Sequence, residues 1–141
     1  MNQIFRHLLS ARFQDIDGAG ILFFGRNFDY FHDAYVAFLE ALGTPLRQNL
    51  ENEDYLIPLV HAEADFAAPI RFGDRCDVQI RVARLGTSSY TLSYTLVGEQ
   101  QQVLTRGQTV HCCVDRKTFA SCPLPERLKT ALTPYVAATS P

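Results

Sequence analysis

The chain has 141 residues, of which 47% are hydrophobic and 20% are charged, and its formal net charge is −2. This length and apolar content suit one ordinary domain with a real core, so we expect a single domain over residues 1–141. The weak negative charge offers no basic field for nucleic acid, and no stretch approaches the ~20 apolar residues of a membrane span. We therefore expect no nucleic-acid or membrane partner. Because Arg6, His7 and Arg12 interrupt the N-terminus, it does not resemble a signal peptide, and we expect a cytoplasmic protein.

Residues 4–13 are predicted to form the first strand, followed by turn-forming residues 14–20. A long helix is predicted over residues 27–42, which contain no Gly or Pro and repeat apolar side chains at three- and four-residue spacing. These side chains form one stripe of Phe28, Phe31, Tyr35, Phe38, Leu39 and Leu42, with Tyr30, Ala34, Ala37 and Ala41 beside it. A helix that is apolar on most sides is buried on most sides. Gly43 and Pro45 then mark its end.

Four strands are predicted downstream, where the apolar period changes from 3.6 to 2 residues. They cover residues 56–68, 75–85, 88–97 and 103–115, with turns at Gly73-Asp74, Gly86-Thr87 and Gly98-Glu99. A brief helix is predicted over residues 125–132 and a loose tail over residues 137–141. The order β, α, β, β, β, β predicts an α+β fold in which an antiparallel sheet wraps around one long central helix.

The cysteines at positions 76, 112, 113 and 122 form no CxxC pair, and two neighbours in a strand point to opposite faces of the sheet. We therefore expect reduced, buried thiols. His111 precedes Cys112 and Cys113, but a strand divides these three side chains between two faces, whereas a zinc site needs ligands that converge on one point. The sequence predicts no metal site and no cofactor.

The segment from Arg12 to Phe24 reads RFQDIDGAGILFF. Its two spaced aspartates, the Ala-Gly pair and the apolar and aromatic pairs resemble the signature of the 4-hydroxybenzoyl-CoA thioesterase family of hot-dog proteins. Residues 61–70 with Gly73-Asp74 resemble that family's second strand and turn, and residues 84–89 resemble a later turn. The resemblance covers about residues 5–120. It implies a hot-dog fold, an acyl-CoA substrate, and assembly into a homodimer or homotetramer with active sites at the subunit interface.

The helix run His32-Asp33-Ala34-Tyr35 is similar to the His-Glu-Ala-Tyr run of the branch that hydrolyses 1,4-dihydroxy-2-naphthoyl-CoA. YbgC-type members tend to carry acidic residues there. The resemblance therefore implies an aromatic acyl group, such as hydroxybenzoyl or dihydroxynaphthoyl, with a short- or medium-chain acyl-CoA as the alternative. Gly18 and Arg26 depart from the pattern, because the 4-hydroxybenzoyl enzyme has proline at the first position and many members have asparagine at the second.

Thioester hydrolysis needs a nucleophile or an activated water, together with stabilisation of the developing oxyanion. The resemblance assigns the first role to Asp17, as nucleophile or general base, and the second to the backbone N–H of Phe24 at the start of the helix. Aspartates beside a turn also commonly bond local backbone, and this structural role is favoured for Asp15.

Two other classes of hot-dog protein are alternatives. A non-catalytic acyl-CoA-binding protein would share the pocket, but it has no need of a costly carboxylate such as Asp17 beside an uncharged thioester. A dehydratase pairs a histidine with an acidic residue on the helix, and His32 with Asp33 or Glu40 matches that arrangement only loosely.

Further candidates for substrate binding come from the loop, the helix, the strands and a turn: Phe23, Phe28, His32, Tyr35, His61 and Arg84. The aromatic residues are most simply core, and a subset is expected to line an apolar acyl pocket. A structural role is favoured for both histidines, although His32 suits a hydrogen bond to a substrate hydroxyl. Arg84 is preferred over Arg71 and Arg106 as the partner of a coenzyme A phosphate, because the turn that follows it can also approach a phosphate.

Overall fold

The computed structural model describes residues 2–138, which form a five-stranded antiparallel sheet, a long helix and several short elements. The strands are β1 (Phe5–Ser10), β2 (Tyr55–Leu56), β3 (Leu59–Phe66), β4 (Arg75–Leu85), β5 (Ser89–Gly98), β6 (Val103–Cys112) and β7 (Val114–Asp115). The helices are α1 (Arg26–Ala41), α2 (Leu46–Asn52) and α3 (Glu126–Leu132), with 3₁₀ turns at Phe13–Asp15 and Thr133–Tyr135. The large sheet has the order β1-β4-β5-β6-β3, and β2 pairs separately with β7. The predicted α+β fold is confirmed.

The core lies between α1 and one face of the sheet. Every second side chain of β4 and β5 is buried, at positions 76, 78, 80, 82, 90, 92, 94 and 96, which is the alternation expected of half-buried strands. Phe31 of α1 stacks on Tyr94, with ring centroids 4.5 Å apart. A Cβ atom at Gly107 would fall 2.3 Å from the Phe31 ring. The glycine therefore permits the close approach of α1 to β6.

The end of α1 agrees with the sequence. Gly43 has a left-handed φ of +79°. Its N–H donates to the Glu40 carbonyl, and the Thr44 N–H donates to the Leu39 carbonyl, both at 3.0 Å. These bonds satisfy carbonyls that the last helical turn leaves free.

Three predicted strands are shorter than expected or divided. β1 ends at Ser10, because the Ala11 N–H bonds to the Asp74 carbonyl at 2.8 Å and the chain then enters the first 3₁₀ turn. The strand predicted over residues 56–68 is divided at Pro58, which has no N–H for a ladder. The strand predicted over residues 103–115 ends at Cys112, and its last residues pair with β2 instead.

Helix α2 has no counterpart in the sequence prediction. None of its seven residues is buried, so it has no apolar stripe to mark it. The Arg116 side chain holds this segment, donating to the carbonyls of Asn49 and Glu53 at 2.9 and 2.7 Å. A long-range contact therefore determines this helix.

The C-terminal helix was predicted, and α3 begins after Pro125 as expected. The tail over residues 137–141 was predicted to be loose. Ala137 donates its N–H to the Val82 carbonyl at 2.9 Å, and residues 139–141 lie outside the described residues. Within residues 2–138, no helix combines the length and the apolar character needed to cross a membrane.

The four cysteines differ in burial. Cys76 and Cys113 are buried, whereas Cys112 and Cys122 are only partly buried, so the prediction of buried thiols is wrong for the second pair. Cys122 lies outside the main sheet, and its sulfur is 3.4 Å from that of Cys113, which is a thiol–thiol hydrogen bond and not a disulfide.

Candidate active site

Asp15 anchors the loop between β1 and α1, with only 2% of its surface exposed. Its Oδ2 accepts hydrogen bonds from the Tyr30 hydroxyl at 2.8 Å and from Arg12 Nε at 2.9 Å, and Arg26 Nε lies 3.5 Å from Oδ1. Burial alone would raise the pKa of Asp15, but the two hydrogen bonds and the two positive charges lower it overall. The favoured structural role agrees with this arrangement, although Asp15 bonds side chains instead of capping backbone.

Asp17, two residues later, is only partly buried. Its Oδ1 accepts the Ala19 N–H at 2.8 Å, and its own N–H donates to the Ile21 carbonyl at 2.9 Å. Gly20 closes the turn with a φ of +83°, which favours glycine. No described residue donates to Asp17 Oδ2. One carboxylate oxygen is therefore fixed by the loop, and the other is free for chemistry.

The N-terminus of α1 follows this loop directly. The Phe23 carbonyl accepts the Arg26 N–H at 2.9 Å, and the Phe24 carbonyl accepts the Asn27 N–H at 3.2 Å. Within residues 2–138, the N–H groups of Phe24 and Gly25 donate to no protein acceptor, and no side chain caps the helix. The positive end of the helix dipole therefore presents free donors.

Asp17 and Phe24 line one apolar cavity of about 340 Å³. Its other walls come from the loop, from α1, from β6, from the end of β3 and from the segment after it: Ile21, Leu22, Asn27, Phe66, Ala67, Ala68, Pro69, Ile70 and Thr105. A mostly apolar cavity with a carboxylate and free amides is the usual construction of a small-molecule site. The structure thus brings together the two residues that the sequence assigned to catalysis.

Aromatic rings surround the opening of this cavity. Phe24 is 59% exposed, and its ring centroid lies 4.8 Å from that of Phe23 and 6.2 Å from that of Phe66. Phe28 is partly buried and packs edge-to-face on Phe31 at 5.8 Å. Phe23 is therefore next to the cavity, whereas Phe28 joins the edge of the core.

The other predicted binding residues lie outside the lining of the cavity. His32 is exposed on α1, and Arg84 is exposed on β4 beside a bulge. Neither side chain forms an ion pair with a described residue. Tyr35 is buried in the core, where its hydroxyl lies 2.6 Å from that of Tyr90. A structural role in the sheet was favoured for His61. Its side chain is exposed, 3.5 Å from Glu63, as are all residues of the edge strand β3 except Ala64.

The buried histidine of this chain is His111, for which the sequence predicted no role. Its ring lies between those of Tyr35 and Tyr90, at centroid distances of 4.5 and 5.0 Å, and Nε2 is 2.8 Å from the Thr109 hydroxyl. Burial, and secondarily the proximity of His32, lowers the pKa of His111 to about 4. His111 is therefore a neutral core residue.

Two polar residues in the cavity wall were also missed. Asn27 and Thr105 are 3% and 1% exposed, and the Thr105 hydroxyl donates to Asn27 Oδ1 at 2.7 Å. The available signal was an asparagine within the first apolar turn of a buried helix, where a polar side chain needs a partner. The partner was not predictable, because it lies 78 residues away.

The fold and the site together define a hot-dog thioesterase. The family model of the thioesterase-like superfamily matches residues 11–132, and the chain belongs to that superfamily. The comparisons confirm the predicted fold and the predicted enzyme class, that of a thioester hydrolase.

Its relatives include enzymes with named substrates. The chain is 37% identical over 119 residues to the 1,4-dihydroxy-2-naphthoyl-CoA hydrolase of Synechococcus elongatus, covering 84% of this chain and 87% of the relative. A solved 1,4-dihydroxy-2-naphthoyl-CoA thioesterase from Synechocystis has a TM-score of 0.88 at 30% identity, covering 93% of this chain and 96% of that one. A gentisyl-coenzyme A thioesterase has a TM-score of 0.81 at 26% identity, covering 90% and 98%. The predicted relation to the dihydroxynaphthoyl-CoA branch is thereby confirmed.

Proposed function

We propose that this protein hydrolyses an aromatic acyl-CoA thioester to the free acid and coenzyme A. The observation that carries the proposal is the shared cavity, which Asp17 lines beside Phe24 at the free N-terminus of α1. Relatives whose named substrates are dihydroxynaphthoyl-CoA and gentisyl-CoA support an aromatic acyl group. A cytoplasmic location is part of the proposal and is tested by cell fractionation.

The arrangement suggests how the thioester is cleaved. The carbonyl oxygen is placed at the Phe24 N–H, where the helix dipole and a low-dielectric wall favour the negative charge that develops. Asp17 Oδ2 then attacks the carbonyl carbon, expelling coenzyme A as its thiolate and leaving a mixed anhydride that water hydrolyses. Alternatively, Asp17 takes a proton from a water that attacks the same carbon. Both routes give the same products and need no metal or other cofactor.

The size of the cavity supports a short, flat acyl group. At about 340 Å³ it lies near the lower end of the range for ligand pockets. Its rim is aromatic, with the Phe23 and Phe24 rings in contact, and offset or edge-on packing against another ring is favourable there. A long straight chain would extend beyond this space.

A thiol-release assay over a panel of acyl-CoAs tests the proposal. The panel should contain benzoyl, hydroxybenzoyl, dihydroxynaphthoyl, butyryl, octanoyl and palmitoyl thioesters. We expect the highest kcat/KM for an aromatic member. A higher kcat/KM for palmitoyl-CoA would contradict the acyl preference, and tight binding without any thiol release would indicate the non-catalytic alternative.

We also propose that the protein is a homodimer or a larger homo-oligomer, with the active site at the subunit interface. β3 is an edge strand whose Leu59 and Val60 are exposed, and Phe66 at its end is 50% exposed beside the cavity. Pairing with a second copy would cover both the open edge and these apolar side chains. Sedimentation at micromolar concentration should show a dimer or tetramer. A fully active monomer would exclude this assembly.

Arg84 is our candidate for binding a coenzyme A phosphate. It is exposed just before the turn at residues 86–89, and a charge-assisted hydrogen bond suits phosphate recognition. Arg84→Ala should raise KM for the best substrate by about 10-fold, roughly one charge-assisted hydrogen bond, with little change in kcat. Arg47→Ala, which removes an exposed arginine of α2, is the matched control. Equal KM values for the two variants would exclude Arg84 as the phosphate ligand.

A further inference from the structure

A buried polar relay connects β6 to the first turn of α1 in the wall of the cavity. The Thr105 hydroxyl donates to Asn27 Oδ1 at 2.7 Å, and Asn27 Nδ2 donates to the Phe24 carbonyl at 3.1 Å. Both side chains are almost completely buried and line the cavity together with Asp17. Burying polar side chains in an apolar wall is unfavourable unless they are bonded, so the relay requires its full set of partners.

The relay determines the direction of an amide. In a planar trans peptide, the carbonyl and the following N–H point in opposite directions. The Phe24 carbonyl is held by the Asn27 N–H at 3.2 Å and by Asn27 Nδ2 at 3.1 Å, so the Gly25 N–H is directed away from both. Gly25 is helical, with φ −64° and ψ −24°, and N–H groups at a helix start point toward its N-terminus. The relay therefore fixes the direction of the Gly25 N–H, which is the next donor along the chain from the unbonded Phe24 N–H.

Thr105 defines which way the Asn27 carboxamide faces. The Phe24 carbonyl can only accept, so it requires the NH₂ group of Asn27, and the carboxamide oxygen is left facing Thr105. The Thr105 hydroxyl supplies the donor that this buried oxygen needs. Without it, the carboxamide has an unsatisfied oxygen and loses the contact that prevents its rotation.

We infer that Asn27 and Thr105 are positioning residues, which orient the Phe24–Gly25 peptide so that the Gly25 N–H joins the Phe24 N–H in receiving the oxyanion. The inference rests on the proposed thioesterase function. Neither side chain needs to touch the reacting atoms, because each acts through the peptide. Loss of the relay should therefore lower kcat and leave KM almost unchanged.

Thr109 provides a matched control for a merely structural role. It is buried on the same face of β6, four residues after Thr105. Its hydroxyl lies 2.9 Å from the Tyr94 hydroxyl and 2.8 Å from Nε2 of His111. Valine is nearly isosteric with threonine, so Thr105→Val and Thr109→Val each delete one buried hydroxyl from the same strand. Only the first deletion affects the relay.

The experiment measures kcat, KM and Tm for the wild type and these variants. Thr105→Val should lower kcat about 10-fold or more, less than the loss of an entire oxyanion donor, with KM within about 3-fold of the wild type. Thr105→Ser, which keeps the hydroxyl, should recover most of the lost kcat. Thr109→Val should lower Tm and retain kcat. If Thr105→Val does not fold, Thr105→Ala against Thr105→Ser makes the same comparison.

A double-mutant cycle tests the relay itself. In an Asn27→Ala background, Thr105→Val should cause little further loss of kcat, because the carboxamide through which it acts is gone. Independent, multiplicative losses would overturn the inference, and so would equal kcat values for Thr105→Val and Thr109→Val in an active protein. A wild type that releases no thiol from any acyl-CoA would instead overturn the thioesterase proposal, and the inference with it.

Discussion

Asp15 and Asp17 lie two residues apart in one loop, yet their carboxylates have opposite surroundings. Asp15 is buried and held by Tyr30 and Arg12, with Arg26 nearby. Asp17 is partly exposed to a cavity, and only its Oδ1 is bonded, to a backbone N–H. Identical side chains thus serve the loop in different ways.

The difference shows what separates an anchor from a reactive group. A carboxylate whose oxygens face several donors is stabilised as an ion and has little capacity left for a substrate. A carboxylate with one fixed and one free oxygen is oriented but still available. Asp15 therefore holds the loop in place so that Asp17 faces the cavity, and the two roles can be separated by mutation.

The largest expected effect is on catalysis at Asp17. Asp17→Asn keeps an oxygen for the Ala19 N–H but removes the charge that, in our proposal, attacks carbon or takes a proton. We expect kcat to fall by at least ~10²-fold, with Tm and coenzyme A binding nearly unchanged. Steady-state kinetics and calorimetry of the variant measure both quantities. Near-normal kcat on the best substrate would exclude Asp17 as the catalytic carboxylate.

The second effect is on stability at Asp15. Asp15→Asn removes the charge that faces Arg12 and Arg26 and places an NH₂ group among donors. We expect the free energy of unfolding to fall by about 2 kcal/mol, a moderate value because both arginines are half exposed. Urea titration provides this number. Folded Asp15→Asn should retain kcat within several-fold of the wild type, and a loss as large as that of Asp17→Asn would show that the two roles are not separate.

The stability difference between wild type and Asp15→Asn should depend on pH. Because the folded-state pKa of Asp15 lies below its ordinary value of 3.8, its contribution is fully present above that value. It is lost as the pH falls through the lowered folded-state pKa. His111, whose folded-state pKa of about 4 lies below 6.5, destabilises both proteins alike, progressively as the pH falls between those two values and by a constant amount below them. The difference should therefore persist at pH 5 and shrink well below pH 4, and a difference independent of pH would contradict an ionised Asp15.

The smallest effect concerns the hydroxyl of Tyr30. Tyr30→Phe removes the hydrogen bond to Asp15 and the one that the hydroxyl accepts from the Arg12 backbone N–H, and it leaves both arginine side chains beside Asp15. The free energy of unfolding should fall by about 1 kcal/mol, and kcat should be nearly unaffected. Tyr94→Phe, which removes another buried hydroxyl that bonds Thr109, is the control for general destabilisation. A larger loss of kcat in Tyr30→Phe than in the control would indicate that the anchor also tunes Asp17.

Much of the fold could be predicted because its buried helix and strands repeat apolar residues at a regular spacing in the sequence. α1 and β4 were predicted to within one residue at each end, since one has an apolar helical period and the other alternates buried and open side chains. α2 was not predicted, and β2 and β7 were not separated from the longer strands predicted over residues 56–68 and 103–115, because none of the residues in these short elements is buried. Short elements of this kind depend on contacts that are distant in sequence.

The residues of the candidate site also differ in how well the sequence could identify them. Asp17 and Phe24 belong to one continuous segment, so a local signature was sufficient to name them, and the structure places both on one cavity. Tyr35 and His61 were selected by residue type. Tyr35 is in the core, the simplest role predicted for the aromatic residues, and His61 is exposed on an edge strand. Their proposed contacts with substrate remain predictions.

The sequence alone determined the α+β order, the long buried helix and the aspartate loop before it, because apolar period and local turn chemistry are properties of neighbouring residues. Only the tertiary structure decided which aspartate is buried and which histidine is in the core, and it paired Asn27 with Thr105. Burial and hydrogen-bond partnership depend on which strands meet, and β6 meets the start of α1 only once the sheet has wrapped around the helix. That wrapping places a threonine of β6 against an asparagine of α1 that lies 78 positions earlier in the sequence.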